Sequence, residues 1–385
     1  MACAEENNLT REPEDRSIAS SKRIPEFDGI RAIAVLSVMA FHVFGFSPRY
    51  AFIGAWGWFG VDIFFVLSGF LITRLLVEEL DATGTIGIIR FYSRRAFRLY
   101  PTFVSALLLT MAGLIAAGRY NYFWTLLVFL PLFLTYTLNL WISLYFTEAM
   151  HIALFQAWSL CIEEQFYLVW PWALRALGRR RALVALYATV AVSVAIRIAV
   201  YSLYPHAIAK RFIFYGTVTR LDGIGIGCIL ALTGERLAAF PRFFSKRALW
   251  LYAIVATPFI VWGGSTDWWY YTIGSPLMSL AVGVIITAIW LGARGGVARF
   301  LASAPMVEIG RVSYGIYLFE SIAIFVADKM INLGCGRLAC LGKDFALVLV
   351  LSMTLAELHY RIVERRIMAL RERIFAPRQR SIAAP

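Results

Sequence analysis

Apolar runs near the length that crosses a bilayer recur along almost the whole chain, and a helix needs about 20 such residues to span the hydrocarbon core. Eleven candidates can be read: Ile30–Ser47, Trp58–Val77, Tyr100–Gly118, Tyr122–Ser143, Ala157–Leu174, Ala182–Ser202, Phe212–Thr233, Ala248–Gly263, Gly274–Gly292, Ser313–Ile331 and Phe345–Val363. No soluble domain of useful size fits between or after them. The chain is 60% hydrophobic and 16% charged, with a mean hydropathy of +0.69. Such values fit a polytopic membrane protein. The fold class expected is all-α: a polytopic membrane helix bundle of about ten transmembrane helices, with no soluble catalytic domain.

The net charge is +13, but Lys and Arg gather beside apolar segments, as the positive-inside rule describes. No nucleic-acid partner is expected; the lipid bilayer is the partner that this charge pattern implies. The rule places Arg90/Arg94/Arg95/Arg98, Arg175/Arg179/Arg180/Arg181, Arg236/Arg242/Lys246/Arg247, Arg294/Arg299/Arg311 and Arg361/Arg365/Arg366 in the cytoplasm, with both termini. The clusters around Arg98 and Arg180 are separated by three candidates, and an odd number of crossings cannot return to the same side. Tyr122–Ser143, which a proline interrupts, is therefore read as re-entrant or buried, leaving ten spans. Residues 1–26 lack an apolar h-region and read as a polar tail rather than a signal peptide. Residues 27–366 form the membrane domain and 367–385 a basic tail. Cys335 and Cys340 lie in an outer loop as either a disulfide or two free thiols.

Several polar residues interrupt these apolar runs. Arg31 and His42 stand eleven steps apart, which on a helix is about 16 Å and close to three turns, so they share a face. Histidine is suited to take and return a proton near neutral pH; a buried, hydrogen-bonded histidine is the plainer alternative. Asp62 opens the next candidate span. It could meet His42 across the hairpin and orient the imidazole, or simply cap its helix. Ser68-Gly69 reads as a close helix contact. Arg95 and Arg98 share a helix face at a membrane boundary. Guanidinium pairs bind phosphates by forked hydrogen bonds, and a stop-transfer cluster on anionic lipid explains them as well.

A carboxylate at bilayer depth costs roughly 2.5–3.5 kcal/mol on insertion scales, yet Glu163 and Glu164 sit together inside Trp158–Leu168. Ser159 and Glu163 share a helical face, whereas Glu163 and Glu164 point about 100° apart. Glu163 faces a site in one reading; in the other the pair neutralises a buried Arg197 or Arg220. Arg220 and Asp222 are expected to neutralise each other at a helix end. Glu320, Glu357 and His359 fit structural and functional roles equally. No metal site or permanently bound cofactor is expected. Together the parts suit a phosphorylated donor entering from the cytoplasm and presenting its reactive group to a deep base. A proton-coupled transporter would use the same residue types.

The chain closely resembles the membrane acyltransferase-3 family from Phe27 to Arg366. The resemblance rests on Phe27-Asp28-Gly29-Ile30-Arg31 with His42, on Gly60–Ile72, on Phe91-Tyr92 through Arg98-Leu99-Tyr100-Pro101, on Trp158-Ser159-Leu160 with Glu163-Glu164-Gln165-Phe166-Tyr167-Leu168, on Thr219-Arg220-Leu221-Asp222-Gly223 and on Ser313–Leu318. It implies transfer of an acyl group, acetyl by default, from cytoplasmic acyl-CoA as co-substrate to a hydroxyl of an extracytoplasmic carbohydrate acceptor such as O-antigen or exopolysaccharide. A small acceptor such as a macrolide is the alternative. It also implies a multi-pass protein of the bacterial inner membrane. His42, Glu163 and Asp62 are then the catalytic candidates, Arg95, Arg98 and Arg31 the acyl-CoA-binding ones, and Ser159, Glu164, Arg220 and Asp222 supporting residues. His42 and the arginine pair are expected to open onto one continuous pocket. No fused hydrolase-like domain is expected, so the chain is expected to finish transfer itself or hand the acyl group to a partner transferase. One departure concerns the last motif: many members follow Tyr-Leu with an aromatic residue, His and then Trp-Pro, whereas this chain has Phe319-Glu320-Ser321-Ile322.

Overall fold

Lipid offers a backbone amide no hydrogen-bond partner, so a spanning segment has to satisfy its own groups as a helix. The computed structural model describes residues 24–44, 57–145, 154–237, 247, 249–252, 254, 267–331 and 338–375, and these hold helices and no strand. In order they are α1 (Pro25–Phe44), α2 (Phe59–Thr83), α3 (Ile88–Ala116), α4 (Tyr120–Leu134), α5 (Leu138–Tyr145), α6 (Trp158–Leu203), α7 (His206–Tyr215), α8 (Thr217–Leu237), α9 (Ser275–Trp290), α10 (Gly296–Leu301), α11 (Ala304–Arg311), α12 (Ser313–Ile331), α13 (Leu338–His359) and α14 (Arg365–Phe375). Seven described helices are long and apolar enough to cross a membrane, and up to nine if two bent pairs each count as one span. The chain is a polytopic all-α bundle.

Two irregularities decide how the spans are counted. Within α6, Gly178 has φ 66° and ψ 169°, a conformation essentially reserved for glycine. The Thr217 hydroxyl donates to Gln165 Oε1 at 2.6 Å, and Arg197 Nε donates to the Thr219 carbonyl at 2.7 Å. In a straight helix Gln165 and Arg197 would lie about 48 Å apart, yet both reach the first turn of α8. The chain therefore doubles back at Gly178, and α6 is two antiparallel arms, as the separate candidates Ala157–Leu174 and Ala182–Ser202 anticipate. The second irregularity is α4 with α5, which meet at 118°. The break follows Pro131 and falls in the segment read as re-entrant. The candidate Ala248–Gly263 and the Cys335–Cys340 question lie largely outside the described residues.

Helix α2 packs against α1 and α8, and small residues set the spacing. A Cβ on Gly69 would lie 2.1 Å from the Ile224 carbonyl oxygen, and one on Gly227 would lie 2.1 Å from that of Val66. The two backbones touch, so Gly69 has the packing role its sequence context suggests.

Deeper in the same helices, four fully buried charges cancel. Arg220 Nη2 lies 3.0 Å from Asp62 Oδ1, and Arg197 Nη2 lies 3.0 Å from Asp222 Oδ2. The Ser275 hydroxyl donates to Asp62 at 3.1 Å. Arg220 also stands against the Phe65 and Phe214 rings. The cluster ties α2, α6, α8 and α9 together. The expected pairing of Arg220 with Asp222 is corrected: two positions apart on α8, they point about 200° away from each other, so each takes its counter-charge from another helix.

Two outcomes follow for detergent-solubilised protein. Gly69→Ala should lower the thermal midpoint, at a cost of about 1–3 kcal/mol for forced separation, whereas Gly113→Ala, with no atom within 4 Å of its Cβ, should be neutral or stabilising. Asp62→Asn should destabilise by about 3–5 kcal/mol, because it leaves Arg220 buried without its counter-charge; a midpoint equal to wild type would show that the cluster does not hold the bundle.

Candidate active site

The ends of the helices that carry the arginine clusters surround a cavity of about 1590 Å³. Helix α1 contributes Asp28 and Arg31, α2 Ser68 and Arg74, α3 Arg95 and Arg98, and α6 Ser159 and Glu163. The helical period explains the choice on α6: Ser159 and Glu163 line the cavity, and Glu164 does not. A space this large exceeds the usual pocket for a drug-sized ligand and suits an extended one.

Five arginines line it, and they are not equivalent. Arg31 bonds Asp28 at 2.7 Å. Arg74 meets Glu78 and Glu235 at 3.2 and 3.0 Å. Arg311 meets Glu308 and Glu357 at 2.9 and 2.7 Å. Arg95 lies 3.9 Å from Glu163 and 3.5 Å from Glu164, with its guanidinium 3.7 Å above the Tyr167 ring. Tyr167 in turn donates to Glu163 at 3.2 Å. Arg98 alone among the five has no hydrogen bond or ion pair within the described residues. The Arg95–Arg98 pair expected as one clamp is thus split: Arg95 neutralises the acidic pair of α6, and Arg98 faces the open space. The counter-charge proposed for Glu163 and Glu164, Arg197 or Arg220, is corrected in the same way; both those arginines are taken by aspartates.

Phe64, Ser159 and Tyr317 also line the cavity. Phe64 and Tyr317 pack ring against ring at 6.2 Å. The Ser159 and Tyr317 hydroxyls lie 2.7 Å apart, and Tyr317 donates to the Gln156 carbonyl at 2.6 Å. Gln156 Oε1 accepts from Ser321 at 2.9 Å. His42 is not among the walls. It belongs to the far end of α1, with a quarter of its side chain accessible. The single continuous pocket expected from the spacing of Arg31 and His42 is corrected to this extent: the cavity that Arg31 lines does not have the imidazole among its walls.

Asp62 does not meet His42, because Arg220 and Ser275 claim it. The partner of His42 is Glu320 on α12, whose Oε1 lies 3.0 Å from Nδ1. The pair is 278 positions apart, so no local motif points to it. The remaining candidates contact other protein groups. Glu357 holds Arg311 and Arg361. His359 contacts Ser105 at 3.0 Å and Glu364 at 3.3 Å, an order that imitates a Ser-His-acid array, but none of the three lines the cavity.

A model of the acyltransferase-3 family, described as an acyltransferase domain, matches residues 24–356. The O-acetyltransferase OatA of Staphylococcus aureus strain NCTC 8325 / PS 47 is 29% identical over 374 residues, covering 90% of this chain and 57% of that protein. The same figures hold for OatA of strain MRSA252. The chain spans just over half the length of these curated relatives. No solved structure matches the chain. With the bundle, the arginine-lined cavity and a family match over most of its length on the same residues, the chain belongs to the acyltransferase-3 family.

Proposed function

We propose that the protein is an integral membrane O-acyltransferase, acetyl its default group, that moves the acyl from cytoplasmic acyl-CoA to a hydroxyl of an extracytoplasmic glycan. The observation that carries the reading is Arg98, a cavity-lining guanidinium with no hydrogen bond or ion pair among the described residues. Such a group suits a phosphate, which it can grip by forked hydrogen bonds. The relatives named O-acetyltransferase support acetyl as the group and a hydroxyl as its target. The arginine-rich ends face the cytoplasm of the inner membrane in this reading, with both termini on that side.

The donor's phosphates rest on Arg98, with Arg31 beside them, and Arg95 keeps the wall neutral against Glu163 and Glu164. The long thioester arm then follows α1, where Arg31 and His42 are about 16 Å apart. On this path it runs past the Tyr317 and Phe64 rings, which line the cavity. At the far end, His42 Nε2 takes the proton of the acceptor hydroxyl as that oxygen attacks the thioester carbonyl carbon. The C–S bond breaks as the tetrahedral intermediate collapses, and the departing thiolate takes the proton back from His42. The products are an acyl ester and free CoA, and the base is restored.

Protein reconstituted in liposomes, given acetyl-CoA and a panel of soluble oligosaccharides, should release CoA and form an alkali-labile acetyl ester. His42→Ala should reduce this by about 10²–10⁴-fold, the usual worth of general base catalysis. Movement of substrate across the bilayer without thioester consumption would replace the enzyme by a transporter.

Arg98→Ala should raise the KM for acetyl-CoA about 10–100-fold, as expected for loss of a charge-assisted hydrogen bond, with little change in the acceptor KM. Arg95→Ala should instead reduce the yield of folded protein. Equal changes in both KM values for Arg98→Ala would count against the phosphate site.

A further inference from the structure

Glu320 carries no role in the reading above, yet it is the least solvated carboxylate near the proposed base. It is fully buried. One oxygen lies 3.0 Å from His42 Nδ1, and the other has no hydrogen-bond partner among the described residues. No arginine or lysine forms an ion pair with it there; its one charge partner is the imidazole. A carboxylate held away from water and from fixed cations depends on the donor it does have. The one group in reach is His42 Nδ1.

We infer that Glu320 is the positioning residue of His42: it accepts the Nδ1 hydrogen and so leaves the Nε2 lone pair to take the acceptor's proton. A carboxylate on Nδ1 sets the tautomer, aims the ring and stabilises the imidazolium formed during transfer. Helix α12 gives the pair a mechanical setting. Tyr317 and Glu320 are three apart and share a face, so one turn carries both a ring that lines the donor cavity and the carboxylate that aims the base.

The inference rests on the assignment of His42 as base, and the test separates the two. The reconstituted full chain is assayed for CoA release from acetyl-CoA with the oligosaccharide panel, as His42→Ala, Glu320→Ala, Glu320→Gln, Glu320→Asp and the double variant His42→Ala/Glu320→Ala. Glu320→Ala should lower kcat at least tenfold with the KM for acetyl-CoA within twofold, Glu320→Asp should recover part of the rate, and the double variant should be no slower than His42→Ala alone. The chain has four histidines, so nitrogen-15 labelling of histidine gives a spectrum simple enough to follow His42 directly. It should report hydrogen on Nδ1 in the native protein and on Nε2 in Glu320→Ala. Glu320→Gln, close in shape, serves if the alanine variant fails to fold. It should lower kcat with an unchanged KM for acetyl-CoA. Wild-type rates in the Glu320 variants beside an inactive His42→Ala would overturn this inference alone, as would a His42 tautomer that ignores Glu320. Full activity in His42→Ala would overturn the general base and this role with it.

Discussion

An ionised group inside a membrane protein has to find its counter-charge among neighbouring helices, because lipid supplies none. Asp62, Arg197, Arg220 and Asp222 show how strictly the bundle obeys. All four are buried and pair crosswise between helices at 3.0 Å. The backbone contact of α2 with α8 through Gly69 and Gly227 brings these partners into reach. Close packing and charge neutralisation are thus one device: the glycines set the distance, and the ion pairs select which residues may face each other across it.

The same rule makes the cavity informative. Arg31, Arg74, Arg95 and Arg311 each have a carboxylate within 4 Å, and Arg98 has none among the described residues. A wall built so carefully toward neutrality leaves one positive charge turned to the open space, which is where an anionic donor gains most. The acidic pair of α6 then has a clear physical role. Glu163 and Glu164 hold Arg95 and, through Tyr167, stiffen the wall beside Arg98. The proposed reaction divides between two ends of α1: Arg31 lines the cavity at one, and His42 stands at the other.

Much of this was legible from residues near each other in sequence. Apolar run lengths foretold the helical class, and parity identified the α4–α5 region as the irregular crossing before its 118° bend was visible. Helical periodicity separated Glu163 from Glu164 and put Ser159 on the same side as Glu163. The partners of the charged residues were not legible. Asp62 was matched with His42 and Arg220 with Asp222 because each pair is close along the chain, whereas Asp62 meets Arg220 and His42 meets Glu320, 278 positions away.

By itself, then, the sequence determined the class of fold, the depth of each charged residue along its helix and which side chains share a helical face, since all three follow from the rise and period of an α-helix in a slab of fixed thickness. Only the tertiary structure decided which faces meet. Helix rotation and neighbour choice depend on contacts summed over the whole bundle, and many pairings of neutralising charge satisfy the same linear pattern. That is why the split between Arg95 and Arg98 and the carboxylate behind His42 emerged only from the packed molecule.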